Sequence, residues 1–143
     1  MAFQPGENAP AITDAFASKE LPPGETWEVF LQAQDPDGDM NRIVCTLEQP
    51  GGSPAVSFIR ITEDHRRSLS GYIFLNTEIS SGLPFANCRL TIQIQDKKGN
   101  LSNSVSFPLS LNPRAVRQSP PPGVFRNESL GPMQVRFPTP PGF

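Results

Sequence analysis

The chain reads as an all-β protein built from two antiparallel sheets packed face to face, and two stretches carry that reading. In RLTIQIQDKKGNLSNSVSFPLSL, residues 89–111, apolar side chains recur at every second position on both sides of a polar turn. They are Leu90, Ile92 and Ile94 before the turn, and Val105, Phe107, Leu109 and Leu111 after it. In TWEVFLQAQDPDGDMNRIVCTL, residues 26–47, Trp27, Val29, Leu31 and Ala33 alternate before DPDGD, and Ile43, Cys45 and Leu47 alternate after it. Each stretch is a half-buried hairpin, and two such hairpins bury their apolar faces by packing sheet on sheet. No segment repeats at the helical period, and prolines and glycines interrupt the chain at short intervals.

The elements follow in order. Residues 1–8 are a polar leading segment. A first strand is expected at 9–17, where Pro10 restricts it to a sheet edge. Residues 19–25, with Leu-Pro-Pro-Gly, form a turn. Strands then fall at 26–34 and 40–49, and PGGSP ends the second of them. Further strands are expected at 55–61 and 71–77, separated by the charged loop TEDHRRSLS; SSGLPFAN breaks the chain before the final hairpin. Seven short, evenly punctuated strands predict an immunoglobulin-like antiparallel β-sandwich over residues 9–111. Residues 112–143 contain eight of the seventeen prolines and read as a long, extended, Pro-rich tail.

At 143 residues and a net charge of −2, the chain suits one domain with one core. Its charge is uneven, with four arginines and one glutamate in the tail and an acidic body. Scattered arginines without a basic stripe argue against a nucleic-acid partner. No apolar run approaches the roughly 18 residues of a membrane span. MAFQPGENAP lacks the basic and apolar regions of a signal peptide, so the chain is expected either to stay inside the cell or to have lost its signal.

Two loop motifs carry a resemblance. Asp35 to Asp39 spell DPDGD, and Asp96, Gly99, Asn100 and Ser102 spell D-x-x-G-N-x-S. Residues 9–111 thereby resemble the immunoglobulin-like, cadherin-like and PKD-like modules of exported bacterial proteins. That resemblance implies an extracellular or cell-envelope location. The chain departs from antibody-type domains in placing Cys45 on the third expected strand rather than the second.

Asp35, Asp37 and Asp39 put three carboxylates within one short turn, the oxygen-rich grouping that calcium binds. The same residues satisfy a type I turn with no metal. The sandwich would bring Asp96 to the same end, so Asp35, Asp37, Asp39 and Asp96 form the candidate calcium set. Arg66, Arg67, Lys97 and Lys98 are candidate counter-charges in those loops. His65 is the single histidine, which excludes a His-rich centre, and it reads as a solvated loop residue. Cys45 and Cys88 share inward parity: they form a disulfide if their α-carbons lie within about 7 Å, and otherwise remain two buried thiols.

Trp27 reads as a core anchor, while Phe30, Phe58, Tyr72 and Phe74 are the aromatics available for a sugar-binding face. In the tail, Val124, Phe125, Leu130, Met133, Val135, Phe137 and Phe143 recur where a purely flexible linker would have polar residues. They are the candidate partner-binding set. No catalytic residue is assigned, since no phosphate-cradling loop or nucleophile-base pair is visible. The expected function is a non-catalytic binding or assembly module whose C-terminal arm docks on a neighbouring subunit or a second copy. The alternative is a calcium-stabilised adhesion or carbohydrate-binding module.

Overall fold

A computed structural model describes residues 9–49, 54–76 and 87–133. Nine strands occur among them: β1 (Ala11–Ala17), β2 (Glu20–Leu21), β3 (Thr26–Gln34), β4 (Met40–Glu48), β5 (Ala55–Arg60), β6 (Ser68–Asn76), β7 (Asn87–Asp96), β8 (Val105–Leu111) and β9 (Ser129–Pro132). A single 3₁₀ turn, Glu63–His65, joins β5 to β6. The strands form two sheets, in the orders β1-β3-β6-β9 and β2-β8-β7-β4-β5.

Alternation decides what each strand buries. On β3, Trp27, Val29, Leu31 and Ala33 are fully buried; β4 opposes them with Ile43, Cys45 and Leu47, and β7 with Leu90, Ile92 and Ile94. Burying an aliphatic side chain of this size contributes about 1.5–3 kcal/mol, so the facing rows hold the sheets together. Trp27 still needs a partner for its ring N–H, and its Nε1 donates to the Ser18 carbonyl at 3.0 Å.

Two strands lie outside the expected seven, and both come from segments without alternation. β2 is a two-residue strand inside the Leu-Pro-Pro-Gly region and pairs parallel with β8. β9 lies in the Pro-rich tail and pairs parallel with β6. Met133, beyond the expected strand end at residue 111, is buried in the same core as Trp27. Apolar burial explains this, since Leu130 and Met133 cover the open side of the sandwich beside β6.

The path from β8 to β9 crosses the outer face of the four-stranded sheet. Arg117 pairs with Glu28 at 3.0 Å and donates to the Thr26 carbonyl at 2.7 Å. Gln118 N–H donates to Ser18 Oγ, Phe125 packs against Phe30 with ring centroids 5.7 Å apart, and Arg126 N–H donates to Ser70 Oγ. Phe30 points away from the inter-sheet core, yet it is only 9% exposed because this segment covers it.

At β6 the tail comes closest at a glycine. Tyr72 N–H donates to the Glu128 carbonyl at 2.9 Å, and a side chain on Gly71 would run into that same carbonyl oxygen and into Leu130. Gly71 is thus where the strand gives up a side chain to let another backbone approach.

Candidate functional site

The charged loops gather at one end of the sandwich, as the strand order requires. Asp35 N–H donates to the Arg67 carbonyl, Met40 N–H to the Arg66 carbonyl and Lys97 N–H to the Asp39 carbonyl. The loops after β3, β5 and β7 are therefore joined through their backbones.

The carboxylates of Asp35, Asp39 and Asp96 offer oxygen atoms within 4.8 Å of one another. Asp37, the fourth residue of the calcium set, stands apart from that trio and faces Lys98 Nζ at 3.8 Å. Asp35 and Asp96 are almost wholly buried, and both are occupied with turns. The two oxygens of Asp35 accept the N–H groups of Asp37 and Asp39, at 3.1 and 3.2 Å. Asp96 Oδ1 accepts the N–H groups of Lys98 and Asn100, and Oδ2 accepts the Asn100 amide. Gly38 and Gly99 take the positive φ that completes each turn. Of the expected counter-charges, Lys98 meets Asp37, Arg67 donates to the Pro36 carbonyl, and Arg66 leaves its buried Nε without a hydrogen-bond partner.

Asp39 differs from its neighbours because its buried Oδ1 has no hydrogen-bond partner. Its hydrogen bond with the Asp35 side chain, its burial and the charges of Asp35 and Asp96 push its carboxyl above the usual carboxylate range. A carboxyl with a raised folded-state pKa contributes stability when protonated, and that contribution is lost as pH rises through the folded pKa. In chelator at neutral pH, Asp39→Asn is therefore expected to stabilise the chain slightly, by less than about 1 kcal/mol because water screens this partly exposed group, and so to raise Tm. Melting curves from pH 4 to 8 check the prediction: the gain should shrink towards acid, and a loss at neutral pH would overturn it.

Of the two possibilities open to the cysteines, the structure has two buried thiols rather than a disulfide. Both are buried and free. Cys45 lies opposite Ile92 on β7, four residues along the strand from Cys88. At about 3.3 Å per residue this separates them by roughly 13 Å, beyond disulfide reach. Parity placed both on the inner face, but register keeps them apart, and burial pushes both thiols up to about 12.

His65 is not a solvated residue. Its side chain is 13% exposed, and its Nε2 lies 3.0 Å from Glu128 Oε1 and 3.8 Å from Asp64 Oδ2. Thr62 Oγ1 donates to Asp64 Oδ1 at 2.7 Å and holds that exposed carboxyl below the usual range. A cleft of about 280 Å³, lined by Ile43, Arg60, Leu69 and Leu130 among others, opens beside this group.

The partner-binding set divides. Phe125 packs on Phe30, while Leu130 and Met133 pack on the chain's own core. Val124 lines a second cleft, of about 570 Å³, next to His65. Val135, Phe137 and Phe143 lie outside the described residues. The aromatics considered for sugar binding are largely engaged: Phe30 and Tyr72 pack with tilted rings beneath the tail, and Arg42 covers one face of Phe58, 4.1 Å from its centroid. Compared with known proteins, the chain matches no family model, no curated protein and no solved structure.

Proposed function

We propose that the chain is a non-catalytic binding and assembly module, immunoglobulin-like in its strand arrangement, that joins neighbouring subunits of an extracellular or cell-envelope complex. The observation that carries this reading is the edge of the five-stranded sheet. Among the described residues β5 has a strand neighbour on one side only, and its outward-facing Val56 and Phe58 are 54% and 49% exposed. An edge strand with apolar side chains at alternate positions is a template for strand addition by another chain. The sequence after Met133 supplies a matching segment, with Val135 and Phe137 in strand alternation and Phe143 farther on. The loop motifs at Asp35 to Asp39 and at Asp96 to Ser102 support the extracellular setting.

Sedimentation velocity across protein concentration tests the reading. The natural chain is expected to gain mass with concentration. Two variants, Val56→Ser with Phe58→Ser and Val135→Ser with Phe137→Ser and Phe143→Ser, should each remain monomeric with little change in Tm. Association that survives both sets of substitutions, or a natural chain that is monomeric at every concentration, would overturn it.

A second reading, calcium-stabilised adhesion, is favoured by the unpartnered Oδ1 of Asp39, whose carboxylate clusters with those of Asp35 and Asp96. It predicts that calcium raises the Tm of the natural chain and not that of Asp39→Asn. Equal melting of the natural chain in calcium and in chelator would dismiss it.

A further inference from the structure

We infer that Asp64, His65 and Glu128 form a binding site for a zinc-class transition-metal dication, which rivets the C-terminal segment to the loop between β5 and β6. The three side chains each offer a ligand atom, and those atoms all lie within 4.8 Å of one another. Zinc bound at about 2.0–2.1 Å by nitrogen and oxygen sets neighbouring tetrahedral ligands roughly 3.3 Å apart. The two distances from His65 Nε2, 3.0 Å to Glu128 and 3.8 Å to Asp64, bracket that value. One imidazole with two carboxylates is a donor set that suits zinc, whereas calcium takes six to eight oxygens.

The surroundings fit the same chemistry. Thr62 holds Asp64 Oδ1 and leaves Oδ2 facing the imidazole, the kind of outer hydrogen bond that orients a ligating carboxylate. Asp64, His65 and Glu128 also form part of the walls of two clefts, of about 280 and 570 Å³. Three protein ligands leave a fourth position, and either cleft has room for water or an incoming group there. Arg60 lines the smaller cleft, so an anionic fourth ligand would meet a cation.

The ligands come from two distant parts of the chain. Asp64 and His65 sit on the 3₁₀ turn, and Glu128 directly precedes β9. Metal binding therefore depends on a docked tail and stabilises it in return. The inference is independent of the assembly reading, because all three ligands belong to one chain.

Zinc chloride titrated into the 143-residue chain, followed by calorimetry and by melting, is the test. One zinc per chain with micromolar affinity and a Tm raised by several degrees is expected. His65→Gln and Glu128→Gln should each weaken binding by roughly tenfold or more. Asp64→Asn, on a side chain 76% exposed, should weaken it without disturbing the fold. Cobalt in place of zinc should show the visible absorption of a tetrahedral site. The absence of saturable binding, binding unaffected by Asp64→Asn and His65→Gln, or binding lost instead in Asp39→Asn would each overturn the assignment.

Discussion

Gly71→Val is expected to destabilise the chain by about 3 kcal/mol, a fall in Tm of roughly 10 °C for a domain of this size. A branched side chain at this position would occupy the space of the Glu128 carbonyl and the Leu130 side chain, so the tail could not sit beside β6. Three losses follow together: the hydrogen bond from Tyr72 N–H, the bond from Met133 N–H to the Phe74 carbonyl, and the burial of Leu130 and Met133. Each hydrogen bond contributes about 1 kcal/mol net, and a buried Leu or Met side chain about 1.5–3 kcal/mol. Ordering of the released tail is no longer required, which offsets part of the sum. Urea denaturation checks the magnitude. A double-mutant cycle with Met133→Ala checks the cause: once Gly71→Val has displaced the tail, Met133→Ala should add little. Full additivity would show that the valine acts only within β6.

Asp96→Ala is expected to cost about 3 kcal/mol, measured in the same way. The Asp96 carboxylate is 2% exposed and accepts from Lys98 N–H, Asn100 N–H and the Asn100 amide, at 3.0, 2.8 and 3.0 Å. Alanine leaves these donors in the exposed β7–β8 turn without their acceptor, and a hydrogen bond to a charged group contributes about 1.5–3 kcal/mol, part of which water restores here. Asp96→Asn keeps the shape and one acceptor oxygen, so its cost should be about half as large. Relief of repulsion between Asp96 and Asp39, whose carboxyl the Asp96 charge helps to push up, works in the opposite direction, and it should make Asp96→Ala less damaging above the folded-state pKa of Asp39 than below it. An Asp96→Ala chain as stable as the natural one would show that the hairpin is held by its strands alone.

Strands with one face on the core were legible in the sequence. β3 begins and ends where alternation puts it, and β4 differs by a single residue at its end. The shared loop end was legible as well, because it follows from strand order. Register was not: the parity of Cys45 and Cys88 could be read, but nothing local sets how far β7 slides along β4. β9 was hidden for a different reason. Its Ser-Leu-Gly-Pro sequence has no period, and a parallel pair with β6 depends on a contact between segments far apart in the chain. Two signals nonetheless pointed to it, a glycine inside strand β6 and an off-phase Phe30 in a row of inward residues. His65 and Glu128 are 63 residues apart, and only the docked tail brings them together.

The position of β9 also has a consequence during synthesis. β3 and β6 can pair as soon as Asn76 has left the ribosome, while the strand that covers β6 emerges only with the final part of the described chain. Throughout that interval the nascent protein exposes the backbone groups of Tyr72 and Phe74 that later bond Glu128 and Met133. Exposed edges of this kind recruit strands from other chains. Slow translation or early termination before Met133 would thus prolong the stage most prone to aggregation.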